Sequence, residues 1–244
     1  MARPRPGEVA TYSATEPSRP NWRPFGLVIL ALVGLCIVFA FAFPTYTHRY
    51  RMTVEIDTPD GIRSGSSVIE VKRKDYRWLL FIPGRYEYSV RGEAVLVDLG
   101  DGRNVIALLA KGPHAEDVDL MTTLAIEAYG YDKWDEEAWA GRRKMHGPTE
   151  LGPQSLPAFV TFIKLDDPKT VQVVGPADFS KVFGPGVRLR RVWIESTNDP
   201  VTVGLELKLV WLAKMNAAGM GGRIDTYPGR FTINAPYFIR ESRH

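Results

Sequence analysis

His114-Ala115-Glu116 has the H-x-E spacing of the zinc deaminases, where the histidine holds the metal and the glutamate moves protons. That chemistry also needs a pair of metal-binding cysteines, and Cys36 is the chain's one cysteine. The triplet is therefore read as an ordinary helix start. Glu116, Asp117 and Asp119 offer oxygen ligands to a hard cation, but no twelve-residue calcium-loop pattern surrounds them. Acids at that position also suit the positive end of a helix. Ser64, Ser66 and Ser67 flank Gly65 and bring a nucleophilic serine to mind. The nucleophile elbow G-x-S-x-G is absent, and the chain has four histidines to act as base. Of these, His48 adjoins a long apolar run and His244 is the last residue. A Ser–Lys pair with Lys72 or Lys74 is compatible with the spacing, while a strand-connecting turn accounts for the serines more simply. Gly184-Pro185-Gly186 and Gly219-x-Gly221-Gly222 match neither phosphate-cradling pattern, G-x-x-x-x-G-K-[ST] or G-x-G-x-x-G, and read as turns. Tyr76, Trp78, Tyr86 and Tyr88 lie near Arg73, Arg77 and Arg85, a grouping able to stack on bases or rest on lipid headgroups. Their alternating placement favours core and interface packing. No catalytic, cofactor-binding or metal-ligating residue is assigned.

The elements that would position these groups are mainly strands. Met52, Val54 and Ile56 alternate with Thr53, Glu55 and Asp57, the period of a half-buried strand. Thr58-Pro59-Asp60-Gly61 is turn chemistry. Val68, Ile69 and Val71 open a partner strand, and Tyr86, Tyr88 and Val90 alternate again. Strands at 94–99 and 105–110 flank Gly100-Asp101-Gly102, a hairpin signal. From Pro113 the period lengthens: Val118, Met121, Ala125 and Ala128 predict a helix with Glu116 and Asp117 in its first turn and Gly130 past its last. A shorter helix is expected over 132–144, and a Gly- and Pro-rich connector, possible as a hinge, over 147–157. Strand character returns at 159–165, one or two helical turns at 176–182, and a strand at 187–194. Leu205, Leu207 and Leu209 alternate with Glu206 and Lys208 as a strand would, and 231–239 reads as a last short strand.

Residues 25–43, FGLVILALVGLCIVFAFAF, carry no charge, and thirteen of the nineteen are Leu, Ile, Val or Phe. At ~1.5 Å rise per residue, such a helix approaches the ~30 Å thickness of a bilayer's hydrocarbon core. Pro24 and Pro44 bracket the run, with Trp22 and Tyr46 just outside it. The expected architecture is α+β: one N-terminal transmembrane helix, then a mainly antiparallel β domain with one or two helices. The divisions are a disordered cytoplasmic tail over 1–24, the span over 25–43 and an extracytoplasmic domain over 44–244. An alternative is a signal peptide cut after Ala42, since Ala40-Phe41-Ala42 has the small-x-small form, though the run exceeds the usual ~7–15 residues. A buried core helix is the third reading, and it needs protein on every side. Arginine counts near the two ends are equal, so a short tail kept inside sets the orientation, with the large domain outside.

Charge excludes little and suggests little. The first 24 residues hold four arginines and two glutamates, a net +2, leaving about +1 of the chain's +3 for the rest. A near-neutral domain gives no argument for a nucleic-acid partner. With Cys36 inside the apolar run, neither an intrachain disulfide nor a thiolate zinc site is available.

TPDGIRSGSSVIEV (58–71), GEAVLVDLGDGRNVIALL (92–109), PAFVTFIKLDDPKTVQVV (157–174) and FGPGVRLRRVWIESTNDPVT (183–202) together resemble an uncharacterised family of bacterial membrane-anchored or exported proteins. The likeness covers roughly residues 50–212 and implies a cell-envelope setting, without any activity or site residue to carry over. The functional expectation is a single-pass envelope protein with a non-catalytic interaction or assembly domain, in contact with the lipid bilayer and another envelope protein. The alternatives are a membrane-tethered hydrolase, or a soluble exported protein after cleavage at Ala42.

Overall fold

A computed structural model describes residues 23–42, 45–76, 86–112, 115, 117, 120–132, 136–142, 145–217, 223–225 and 232–240. The chain divides into two compact units, 1–42 and 43–244. The described part of the first is one helix, α1 (Arg23–Ala42). Its apolar side chains stand free: Phe25, Leu27, Val28, Ile29, Leu30, Leu32, Val33, Leu35, Ile37 and Val38 are all exposed. Among the described residues, however, no helix is long and apolar enough to cross a membrane. This corrects the expected transmembrane helix at 25–43. The tail expected over 1–24 lies outside the described residues up to position 22.

The second unit is built on antiparallel sheets. Strands β1 (Thr45–Thr58) and β2 (Gly61–Asp75) form a long hairpin. It turns at Thr58-Pro59-Asp60-Gly61, where the Thr58 hydroxyl donates to the Gly61 carbonyl over 2.7 Å and Gly61 takes a φ of 118°. β3 (Tyr86–Glu93) pairs with β2. β9 (Arg188–Ser196) pairs with the other edge of β1. Two short strands, β6 (Thr149–Glu150) and β12 (Ile239–Arg240), complete a six-stranded sheet of order β12-β3-β2-β1-β9-β6. A four-stranded sheet has the order β4-β5-β7-β8, from β4 (Val95–Gly100), β5 (Arg103–Lys111), β7 (Pro157–Phe162) and β8 (Val171–Val174). β10 (Arg223–Asp225) and β11 (Thr232–Asn234) pair separately.

Packing follows from the strand periods. On β1 the alternate residues Tyr50, Met52, Val54 and Ile56 are fully buried. With Ile69 and Val71 of β2 they join one core with Val95, Val97 and Leu99 of β4 and with Val105, Ala107 and Leu109 of β5. α2 (Leu120–Ala128) adds Met121, Leu124 and Ala125 to it. The other face of the four-stranded sheet is buried too. Ile106, Leu108, Val160 and Phe162 pack with Leu205 of the helix α5 (Leu205–Lys208), Trp211 and Leu212 of the helix α6 (Val210–Ala217), Leu209 between the two, and Phe238. A sheet covered on both faces has no polar side to alternate with, so residues 105–110 of β5 and 157–160 of β7 are continuous apolar runs. Asn104 is the exception on β5: its amide donates to the Phe162 carbonyl over 2.8 Å, and Phe162 N–H donates back to its Oδ1 over 3.0 Å. The side chain thus satisfies a buried backbone pair.

Several expectations need correction. The second unit holds α2, α3 (Glu136–Gly141), α4 (Phe179–Phe183), α5 and α6, several helices rather than one or two. Ser64-Gly65-Ser66-Ser67 is no turn but the interior of β2. A Cβ on Gly65 would stand 2.3 Å from the Leu96 carbonyl oxygen, so glycine marks a close approach of β4 to β2. Leu205–Lys208 is helical and α6 follows from Val210, with Leu205, Leu209 and Leu212 buried at spacings of four and three while Leu207 is 81% exposed. Leu, Glu and Lys favour helix, and nothing in a five-residue window separates the two periods. Asp117 does not open a helix. It makes an isolated β-bridge with Lys111, and α2 begins at Leu120. The strand expected over 231–239 is broken by a 3-10 turn at Ala235–Tyr237.

Candidate functional site

At the end of the six-stranded sheet that includes the first residues of β1, the inner face changes character. The period that buries Tyr50, Met52 and Val54 continues backwards through His48 and Tyr46. Register places Tyr46, Arg73 and Tyr88 in one cross-strand row, with His48 beside Val71 in the next row and Asp75 beside Tyr86 on the far side. α3 lays Trp139, fully buried, over these rows. The Arg73 Cζ lies 5.0 Å from the indole ring, the His48 ring 5.4 Å and the Tyr88 ring 5.6 Å. Arg73 also stacks 3.8 Å over the Tyr86 ring and stands 6.0 Å from Tyr46. A desolvated guanidinium over an aromatic face gains about 2 kcal/mol. Arg142 closes one side: its Nε donates to the Thr47 carbonyl over 2.8 Å, and its Nη1 to the Trp139 carbonyl over 2.9 Å.

Polar atoms here are left over. Arg73 is 1% exposed, yet its Nε and Nη1 find no hydrogen-bond partner among the described residues. The same holds for both ring nitrogens of His48 and for the Tyr88 hydroxyl. Each buried, unsatisfied polar group costs about 1–3 kcal/mol. Burial, followed by the nearby Arg142 charge, pushes the His48 imidazole down to about 4, so it is neutral at pH 7. Burial raises the Tyr88 phenol against the opposing effect of Arg73, so its proton stays in place. Tyr50 shows the contrast one row further in: its hydroxyl donates to the Met121 carbonyl over 3.1 Å.

The groups singled out in the sequence fare unevenly. Ser64 and Ser66 are exposed on β2, opposite Glu55 and Thr53. Ser67 is buried opposite Met52, with its hydroxyl unpartnered among the described residues. Register places no histidine opposite any of the three. Lys72 pairs with Glu70, and Lys74 sits 5.1 Å from the Tyr76 ring. His114, Glu116, Asp119 and the 219–222 glycines lie outside the described residues. So do Arg77, Trp78 and Arg85. Gly184 and Gly186 take positive φ in a turn, as expected. Of the aromatic and basic grouping, Arg73, Tyr86 and Tyr88 are brought together, while Tyr76 turns away to donate to Glu87 over 2.7 Å. His48, Trp139 and Arg142 were not singled out. The continuation of the β1 alternation back to Tyr46 was the available signal for His48. Trp139 lies in α3 and Arg142 just past its end, both inside the helix expected over 132–144; no local pattern tells that this helix covers the first residues of β1. Among the described residues no group of three or more His, Cys, Asp or Glu could hold a metal ion. A separate recess of about 260 Å³, lined mostly by apolar groups such as Leu156, Phe159 and Pro176 beside Lys111, sits at the ends of β5 and β7. Comparison with protein-family models, curated proteins and solved structures finds no match.

Proposed function

We propose that the chain is held at a lipid bilayer through α1, and that its β domain is a non-catalytic module that binds another envelope protein or packs into an assembly. One observation carries the reading: ten large apolar side chains of α1, from Phe25 to Val38, each stand more than half exposed. They include the consecutive residues Leu27 to Leu30, which point to all sides of a helix and leave no polar face for water. Covering a large aliphatic side chain gains roughly 1.5–3 kcal/mol, and acyl chains are a cover without directional demands. For the interaction role, Val203, Leu207 and Val210 are exposed apolar side chains within one eight-residue segment, groups that a protein contact could cover.

Membrane fractionation tests this. The full chain is expected to stay with membranes through alkaline washing, and Leu35→Arg to shift it to the wash. Release of the unaltered chain by salt alone would overturn the reading. An intact mass corresponding to a chain that begins at Phe43 would replace it with a soluble exported protein. For the module, crosslinking of the detergent-solubilised chain is expected to return one stoichiometric envelope partner that Leu207→Glu loses. Hydrolytic turnover abolished by Ser67→Ala would instead favour the tethered hydrolase.

A further inference from the structure

We propose that the Arg73 cluster is a binding site for a phosphate-type oxyanion, either free phosphate or the phosphate of a lipid headgroup. Only the headgroup source rests on the reading of α1. Unsatisfied buried donors are rare in folded proteins, and here three side chains that carry them lie within 5.0–5.6 Å of a single indole, that of Trp139. Their donor inventory is specific. Arg73 offers N–H groups from Nε and Nη1, Tyr88 an O–H, and neutral His48 one N–H. Guanidinium donors in a fixed fork match two oxygens of one tetrahedral anion. The aromatic walls, Tyr46, Tyr86 and Trp139, hold the guanidinium plane in place without competing as anionic acceptors. Formal charge agrees. Arg73 and Arg142 against the buried carboxylate of Asp75 leave +1, with His48 neutral at pH 7. A dianion bound there would accept from Arg73, Tyr88 and His48 together, which is what a cluster of leftover donors lacks.

The test uses the full chain in detergent and phosphate-free buffer, titrated calorimetrically with inorganic phosphate and, separately, with dihexanoyl phosphatidic acid, a soluble lipid carrying a phosphomonoester headgroup. Saturable binding of at least one probe is expected. Tyr88→Phe, which keeps the ring, should weaken it about five-fold, the worth of one hydrogen bond. Arg51→Met, on the opposite face of the sheet, should leave it unchanged. Tighter binding of inorganic phosphate assigns the free anion, and tenfold tighter binding of the lipid assigns the headgroup. The proposal fails if neither probe saturates by about 10 mM, a concentration at which even a millimolar site fills. It also fails if Tyr88→Phe raises the melting temperature while leaving the probe response intact, the signature of a hydroxyl that is merely buried. Alkaline washing of Tyr88→Phe should match the unaltered chain, so loss of phosphate binding and loss of membrane attachment are separate results.

Discussion

The two faces of strands β1 and β2 carry similar residue types and treat them in opposite ways. On the outer face each charge meets a partner. Arg49 donates to Glu70 over 2.8 Å, Arg191 grips both oxygens of Glu55 over 2.8 and 3.0 Å, and Arg188 and Arg190 share Asp57. Arg51 meets Asp199. These pairs hold the Glu55 and Asp57 carboxyls below their ordinary values, chiefly through hydrogen bonds from Arg191 and Arg188. On the inner face Arg73 is surrounded by rings, with Nε–H and Nη1–H unused. Water explains the difference. An exposed arginine can always complete its hydrogen bonds, so its pairing adds little. A buried one has only its neighbours, so donors left open there are costly and point to something the neighbours do not supply.

The sharpest way to break this contrast is to remove the shared wall. Trp139→Ala should lower the unfolding free energy by about 3–5 kcal/mol, the usual cost of emptying a buried aromatic site. Denaturant titration yielding less than about 1 kcal/mol would mean that α3 does not cover the cluster. Acid comes next. His48 is neutral when folded down to about pH 4, whereas in the unfolded chain it protonates near pH 6.5. Stability is therefore unaffected above pH 6.5, falls between 6.5 and 4, and by pH 4 has lost about 3 kcal/mol from this residue. His48→Phe should flatten that part of a stability–pH curve, and an unchanged slope would place the histidine in contact with solvent. Gly65→Ala should cost about 1–3 kcal/mol, the range for overpacking, because the new Cβ meets the Leu96 backbone. An unchanged melting temperature would show that β4 moves away freely. The outer face should respond least. Arg188→Met is expected to cost about 1 kcal/mol or less, since Arg188 is largely exposed and Asp57 keeps Arg190, with the loss shrinking as salt is added. A larger, salt-independent loss would erase the contrast between the faces.

Legibility in the sequence followed range of interaction. The turns at 58–61 and 100–102 could be read because glycine, proline and aspartate set local dihedral angles. Met52, Val54 and Ile56 could be read because one face of β1 is buried and the other wet. The same turn reasoning failed at Ser64-Gly65-Ser66-Ser67, where glycine serves a neighbouring strand and not a bend. Leu205-Glu206-Leu207-Lys208-Leu209 failed for a related reason. There Glu93, 111 residues away, accepts from the Gly204 and Leu205 N–H groups over 2.9 Å each and so receives the start of α5. The apolar run at 25–43 correctly marked a helix, but apolarity by itself overstated what the described part of α1 shows. The candidate site was half visible: Arg73, Tyr86 and Tyr88 stood out by composition, while His48 passed as a residue beside the apolar run.

The sequence alone determined the antiparallel strands, the two tight turns and the presence of an unbroken apolar helix, because each rests on contacts within a few residues. Only the tertiary structure decided that β5 and β7 are buried on both faces, that Gly65 yields to Leu96, and that Trp139 brings Arg73, His48 and Tyr88 around one ring. Those outcomes depend on pairing register and on groups far apart in the chain, such as His48 and Trp139, or Ile106 and Phe238. Whether a polar atom is satisfied is a property of its surroundings in space, which no local pattern of residues encodes.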